Sequence, residues 1–250
     1  MEEEHQIPGS ENSITIPVVI LCGGKATRLY PLSQKVPKAM TEIEGKPFLE
    51  YQIDLLKRNG IFDIVLCIGD KGEQIKEHFQ DGERFDVRIK YSQDGEELLG
   101  TAGALKKAEN LLADSFLVLF GDTYLSLNFQ EAINFFEKNR QLGMMTVFRN
   151  AGKYAPSNTV VENGLVKYYS KKRHLKNMNY IDCGLGIIRK DSLKYLRQGE
   201  SGDLAILNQA LIKRQELLAY PIKKRFYDIG TFRGLADFRR YILRHKNNVS

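Results

Sequence analysis

Short apolar runs closed by glycine or a polar turn mark the first half of the chain: residues 16–22 (IPVVILC), 63–69 (DIVLCIG) and 115–121 (SFLVLFG). Runs of this length without regular polar breaks predict strands buried on both faces. Residues 87–92 read as a further strand. Between these runs, Phe48, Ile53, Leu55 and Leu56 form the apolar face of a helix over residues 47–59, with Gly60 as its stop. Residues 71–79 and 101–113 are the next two helices. Strand and helix in alternation imply a parallel sheet covered by helices on both faces. After Asp122 the pattern loosens. A helix is expected at 129–140, strands near 144–149, 158–161, 166–169 and 184–188, then a helix at 204–213, a strand at 217–222 and a closing helix at 232–244. No repeat, low-complexity linker or composition break divides the chain, which predicts a single domain.

Charge changes this picture little. Of 250 residues, 37 are basic and 31 acidic, a net +6, but the two signs are interleaved along the chain. A nucleic-acid protein concentrates its cations in one patch, so the excess reads as a solvated surface with a few cations kept for phosphorylated ligands. No apolar run approaches the roughly 20 residues of a membrane helix, and the polar, acidic start is unlike a secretory signal. Neither nucleic acid nor membrane is an expected partner. Cys22, Cys67 and Cys183 lack metal-ligand spacing and lie in or beside apolar stretches, which predicts buried free thiols and a reducing, cytoplasmic setting.

Candidate chemistry begins in the segment 21–40 (LCGGKATRLYPLSQKVPKAM). Gly23 and Gly24 stand at the end of a buried strand, where open parallel sheets bind ligands. Glycine there lets backbone N–H groups approach phosphate oxygens with no Cβ in the way. Arg28 and Lys38 follow, two cations suited to holding several negative charges together. The pattern is neither the G-x-G-x-x-G of a dinucleotide fold nor the Gly-Lys-Ser/Thr of a P-loop. Farther on, Asp122 in FGDTY directly follows a buried strand, a placement suited to holding Mg²⁺ over nucleotide phosphates.

The run G-G-x-A-T-R-L-x-P-L at residues 23–32, with Pro37, Lys38 and the Gly-Lys-Pro of residues 45–47, resembles the signature of the sugar-phosphate nucleotidyltransferases. The similarity extends from about residue 18 to about 238, nearly the whole chain. It implies a Rossmann-like nucleotide half and a sugar-binding half built on the later strands. With the periodicity, the expected fold is α/β: a mixed, mostly parallel sheet flanked by helices over residues 16–244, behind a flexible extension at 1–15. The resemblance implies that Leu21, Gly23, Gly24, Thr27 and Arg28, with Glu97, Gly100 and Thr101 of EELLGTAGAL, bind the nucleotide. It also implies that Asp228 of YDIGT shares the magnesium ion with Asp122. On the sugar side, Lys171 of YYSKK matches a lysine that binds the sugar phosphate, with Ser170 where the family carries Glu. Asp182 of YIDCGLGII matches a polar residue facing the sugar ring.

The reaction so implied joins a nucleoside triphosphate to a sugar 1-phosphate and releases pyrophosphate. Arg28, Lys38 and Asp122 would carry the catalysis, with Mg²⁺ as the cofactor. A phosphate nucleophile is already ionised at neutral pH, so positioning and charge neutralisation are needed and a general base is not. The four histidines, in polar stretches, read accordingly as surface residues. Leu-Gly-Thr-Ala-Gly at residues 99–103 is most similar to mannose- and heptose-1-phosphate guanylyltransferases. The compact length, with no appended β-helix, fits GTP with D-glycero-D-manno-heptose 1-phosphate. A uridylyltransferase for N-acetylmuramate 1-phosphate and cytidylyltransferases for sugar phosphates or phosphocholine share parts of the pattern. A glycosyltransferase would show Asp-x-Asp where Asp122 is followed by Thr123 and Tyr124. A non-catalytic nucleotide-sugar binder would have lost Arg28, Lys38, Asp122 or Asp228, all of which are present. The sequence leaves a homodimer open.

Overall fold

In the computed structural model, which describes residues 14, 16–24, 30, 34–150 and 154–246, the first apolar run becomes β1 (Val18–Leu21). Its four side chains are all buried because they alternate between two cores. Val18 and Ile20 enter one, Val19 and Leu21 the other. That is why a strand in mid-sheet reads as a continuous apolar run.

The remaining elements follow in chain order. A two-residue ladder, β2 (Glu42–Ile43) with β3 (Lys46–Pro47), leads into α1 (Phe48–Arg58) and then β4 (Asp63–Ile68). Next come α2 (Gly72–Phe79), β5 (Arg88–Gln93), α3 (Gly100–Lys107) and β6 (Ser115–Phe120). The second half holds β7 (Thr123–Tyr124), α4 (Phe129–Glu137), β8 (Gly143–Arg149), β9 (Thr159–Glu162), β10 (Leu165–Tyr169) and β11 (Tyr180–Arg189). It closes with α5 (Ala205–Lys213), β12 (Leu217–Ile222), β13 (Tyr227–Asp228) and α6 (Phe232–Lys246).

Nine strands form one sheet in the order β5-β4-β1-β6-β11-β8-β12-β10-β9. The block β5-β4-β1-β6 is parallel. β11 enters antiparallel to both β6 and β8, β8 and β12 are parallel, and β10 is antiparallel to both its neighbours. Seven of the nine strands therefore run one way, with β10 and β11 reversed, which is the mixed, mostly parallel α/β sheet expected. Helices α1, α2, α4 and α6 pack one face and α3 and α5 the other. No described helix is long and apolar enough to cross a membrane.

The departures from the expected elements have local causes. The helix expected over 101–113 ends at Lys107 and tightens into a 3₁₀ turn over Ala108–Leu111. The strand expected at 184–188 is the second half of a ten-residue strand, and Asp182, expected just before it, lies inside it. Between Asp182 and Gly186, β11 fits two more residues than β8 does between Val147 and Met145. Gly184, at φ +76°, takes up that excess. The two short ladders, β2–β3 and β7–β13, were not expected at all. Two residues carry no period.

Candidate active site

The loops after β1, β4 and β6 approach one another closely at their C-terminal ends. A Cβ on Gly69 would lie 2.8 Å from the Gly23 carbonyl oxygen, and one on Gly121 would lie 2.9 Å from the Leu21 oxygen. Gly24 has open space around it. Glycine is thus required at Gly69 and Gly121 so that the loops can close, and Gly24 leaves room for a ligand. Thr27 and Arg28 lie outside the described residues.

Two adjoining clefts open here. One, of about 430 Å³, is lined by Leu21, Gly23, Gly24, Gly100 and Thr101, all named from sequence, and by Asp94. The other, of about 220 Å³, holds Leu21, Gly24 and Thr101 again, now with Lys38, Asp122 and Lys171. Residues separated by up to 150 positions in the chain therefore meet on one surface. Glu97 stands apart from them. It is exposed and borders a neighbouring recess that Asp94 also lines.

Asp94 was not among the site residues named from sequence, where the stretch Asp94-Gly95-Glu96 only resembled a uridylyltransferase for N-acetylmuramate 1-phosphate. It is 8% exposed, and one carboxylate oxygen accepts the Leu99 N–H at 3.1 Å. Its other oxygen is buried with no partner among the described residues. Burial pushes its pKa above the ordinary carboxylate value, against the opposing pull of the Leu99 N–H and Lys107. With one carboxylate oxygen on the Leu99 N–H and the other unpaired, Asp94 keeps acceptor capacity beside the larger cleft.

Asp122 is held from two directions. Its carboxylate oxygen lies 2.7 Å from the Lys38 ammonium, both side chains being mostly buried. Its backbone is bracketed by the buried Gln52 of α1, whose amide donates to the Phe120 and Thr123 carbonyls at 2.9 and 2.6 Å. The β7–β13 ladder then delivers the second acid. Asp228 pairs with Thr123, the Ile229 N–H donates to the Asp122 carbonyl at 2.9 Å, and the Gly230 N–H donates to the Asp228 carboxylate at 2.5 Å. Among the described residues no group of three or more His, Cys, Asp and Glu side chains could hold a metal. Asp122 and Asp228 nonetheless sit on adjoining stretches of backbone, and carboxylates are ligands of a kind that suits magnesium. That ion takes hard oxygen donors and completes its shell from phosphates and water.

The sugar-side candidates also meet. Lys171 donates to both oxygens of Asp203, at 3.0 and 2.9 Å, with its ammonium 5.3 Å from the centre of the Phe120 ring. Ser170 turns the chain after β10 by accepting the Lys172 and Arg173 N–H groups. Burial raises the Asp182 pKa, partly offset by the Gly184 N–H, Lys171 and the Tyr169 hydroxyl. Burial likewise raises Asp203, but Lys171 and the Ala205 N–H outweigh it and leave that carboxyl below its ordinary value. Asp203 was not anticipated. A Gly-Asp ahead of a helix looks like a simple cap.

All three cysteines are buried and unbridged, as expected. Cys22 borders the smaller cleft, and burial raises its pKa well beyond the thiol range, with Cys67 and Asp122 adding to the shift. Cys67 is pushed up to about 12, chiefly by burial. Neither supplies a thiolate at neutral pH.

The family model for nucleotidyl transferases matches residues 17–245. A D-glycero-alpha-D-manno-heptose 1-phosphate guanylyltransferase from Campylobacter jejuni is 33% identical over 213 residues, covering 85% of this chain and 93% of the relative. A UTP–glucose-1-phosphate uridylyltransferase from Synechocystis is 29% identical over 202 residues, which are 74% of this chain. The chain spans about half of that relative, 52%. Among solved structures, HddC from Yersinia pseudotuberculosis complexed with GMP-PN has the same fold, with a TM-score of 0.76 at 24% identity over 91% of this chain and 99% of that one. With its matched span, its parallel block and the convergence of Gly24, Lys38 and Asp122, this chain belongs to the nucleotidyl transferase family.

Proposed function

We propose that the chain is a sugar-1-phosphate guanylyltransferase, joining GTP to a sugar 1-phosphate with D-glycero-D-manno-heptose 1-phosphate as the favoured acceptor. The observation that carries this reading is the smaller cleft, where Gly24, Lys38, Asp122 and Lys171 face one space. An oxygen of the sugar phosphate attacks the α-phosphorus of the nucleotide in line. The new P–O bond forms as the bond to the β-phosphate oxygen breaks, and pyrophosphate leaves with the electron pair. Lys38 and Lys171 hold the two phosphate groups together against their mutual repulsion, and Arg28 neutralises the leaving pyrophosphate. Magnesium, held by Asp122 and Asp228, neutralises phosphate charge when bound. Leu21, Gly23, Gly24, Gly100 and Thr101 form the nucleotide cradle, with Glu97 at its outer rim, Thr27 is assigned to the nucleotide on the family motif alone, and Asp182 faces the sugar.

Asp94 favours guanine over the other bases. Its carboxylate, with one buried oxygen unpartnered, accepts the adjacent N1–H and N2–H donors that guanine presents side by side. Uracil offers a single N–H on the corresponding edge. The Campylobacter relative supports the same choice, while the uridylyltransferase relative supports UTP as the second reading. The buried, unbridged thiols support a cytoplasmic enzyme.

The decisive measurement is pyrophosphate release with each NTP, Mg²⁺ and a panel holding heptose, mannose, glucose and N-acetylmuramate 1-phosphates. Release with GTP and the heptose phosphate is expected. Release only with UTP would replace the guanine assignment. Nucleotide binding without turnover across the panel would mark a non-catalytic binder, and sugar transfer from a preformed nucleotide sugar would mark a glycosyltransferase.

A further inference from the structure

Asp203 has no role in the reading above, yet it joins the two clefts. Both its oxygens take the Lys171 ammonium, and one of them also accepts the Ala205 N–H at 2.8 Å at the start of α5. The segment leading to it is stapled to the loop that borders the nucleotide cleft. The Gly202 N–H donates to the Leu99 carbonyl at 2.9 Å, the Ala102 N–H donates to the Gly202 carbonyl at 2.9 Å, and the Leu204 N–H donates to the Thr101 hydroxyl at 2.7 Å. The closeness depends on two glycines. A Cβ on Gly100 would lie 2.5 Å from the Gly202 oxygen, and one on Gly103 would lie 2.5 Å from the Glu200 oxygen.

An ion pair whose side chains are 43% and 50% exposed adds little to stability. Its value is geometric. Lysine has many rotamers to lose, and a doubly engaged ammonium has lost that freedom before a substrate phosphate arrives. Asp182 lies close enough to Lys171 to feel its charge, so without Asp203 the ammonium has another anion to follow.

We propose that Asp203 is a positioning residue that fixes Lys171 relative to the nucleotide loop, so that the sugar phosphate meets a lysine already placed by the element that binds the base. This rests on the reading of Lys171 as the sugar-phosphate lysine, and the experiment separates the two.

Asp203→Asn keeps an oxygen for the Ala205 cap and loses the charge. With the acceptor and NTP selected in the panel, D203N is expected to raise the acceptor KM about tenfold, the scale of one charged hydrogen bond. The kcat and the nucleotide KM should stay within about twofold, and the Tm within about 2 °C, whereas a merely structural role would move all three together. K171M is expected to raise the acceptor KM at least as far, and K171M/D203N no further than K171M alone, since the two act as one unit. Reductive methylation read by mass spectrometry needs no substrate. Lys171 should label several-fold faster in D203N, with Lys172 unchanged. An unchanged Lys171 labelling rate overturns the proposal, as does an acceptor KM that rises in K171M but not in D203N. Faster Lys171 labelling in D203N with no effect of K171M on the acceptor KM leaves the tether standing and overturns the assignment of Lys171 to the acceptor.

Discussion

Asp122 and Asp228 are two of 31 acids, and what distinguishes them is the ladder that joins Thr123 to Asp228. Replacing either with Ala removes a charge from the phosphate site without touching the sheet. Turnover is expected to fall at least a hundredfold, the scale of one lost charge-stabilising group, with circular dichroism unchanged. Near-normal turnover in both variants would sink the magnesium assignment. Asp182 makes a different prediction. Burial raises its native pKa above the unfolded value, so between those two values the native state holds more protons and stability falls as pH rises. Asp182→Asn removes that titration. The variant should match the parent below the unfolded pKa and gain on it as pH rises through the native one. Above that the gain should level off, with activity lost. A Tm difference that does not change with pH would refute the burial argument. The motif acids were legible in the sequence because strand ends and family context mark them. Asp94 and Asp203 were not, because a buried orphan oxygen and a lysine tether exist only after distant segments meet.

At the scale of elements, what could be read depended on length and period. β1, β4 and β6 stood out because both their faces are covered, and α1 because Phe48, Ile53 and Leu56 share one buried stripe. The first half of β11 was invisible, since Asp182 and Gly184 interrupt any strand pattern just where β11 departs from the β8 register. The β7–β13 ladder was equally invisible, yet it carries Asp228 and leads into the hydrogen bond that holds the Asp122 backbone. Its anchor is a polar residue inside a helix core, Gln52, fully buried and donating to carbonyls on either side of Asp122. Gln52→Leu preserves the volume and removes both donors. The expected cost is about 1–3 kcal/mol in denaturant unfolding, together with a loss of turnover beyond what the stability change explains, because Asp122 is no longer fixed against Lys38. If turnover stays at the parent level while stability falls, Gln52 supports the fold alone.

At the scale of the whole molecule, the parallel block places the glycine loops and β6 ends on one edge, and the reversed strands β11 and β10 bring Asp182 and Lys171 to the same edge. A ligand in the larger cleft therefore touches the loops after β1, β5 and at the start of α3, which unfolding separates. Binding to the native state alone stabilises it by about 2.7 kcal/mol at a hundredfold excess over Kd, or roughly 5–10 °C for a chain of this length. GTP with Mg²⁺ should give that rise in a thermal scan, and UTP at the same concentration much less. Asp94→Asn makes the guanine argument specific. The amide retains an oxygen for the Leu99 N–H but turns its other atom into a donor, facing the N–H groups of guanine where an acceptor is needed. The variant should unfold at or slightly above the parent temperature without ligand, since a carboxylate that is costly to bury has gone. Its GTP-dependent rise should nearly vanish, while any small UTP response persists. Equal GTP shifts in parent and variant would remove Asp94 from base recognition and with it the structural case for guanine, leaving the phosphate chemistry of the smaller cleft untouched.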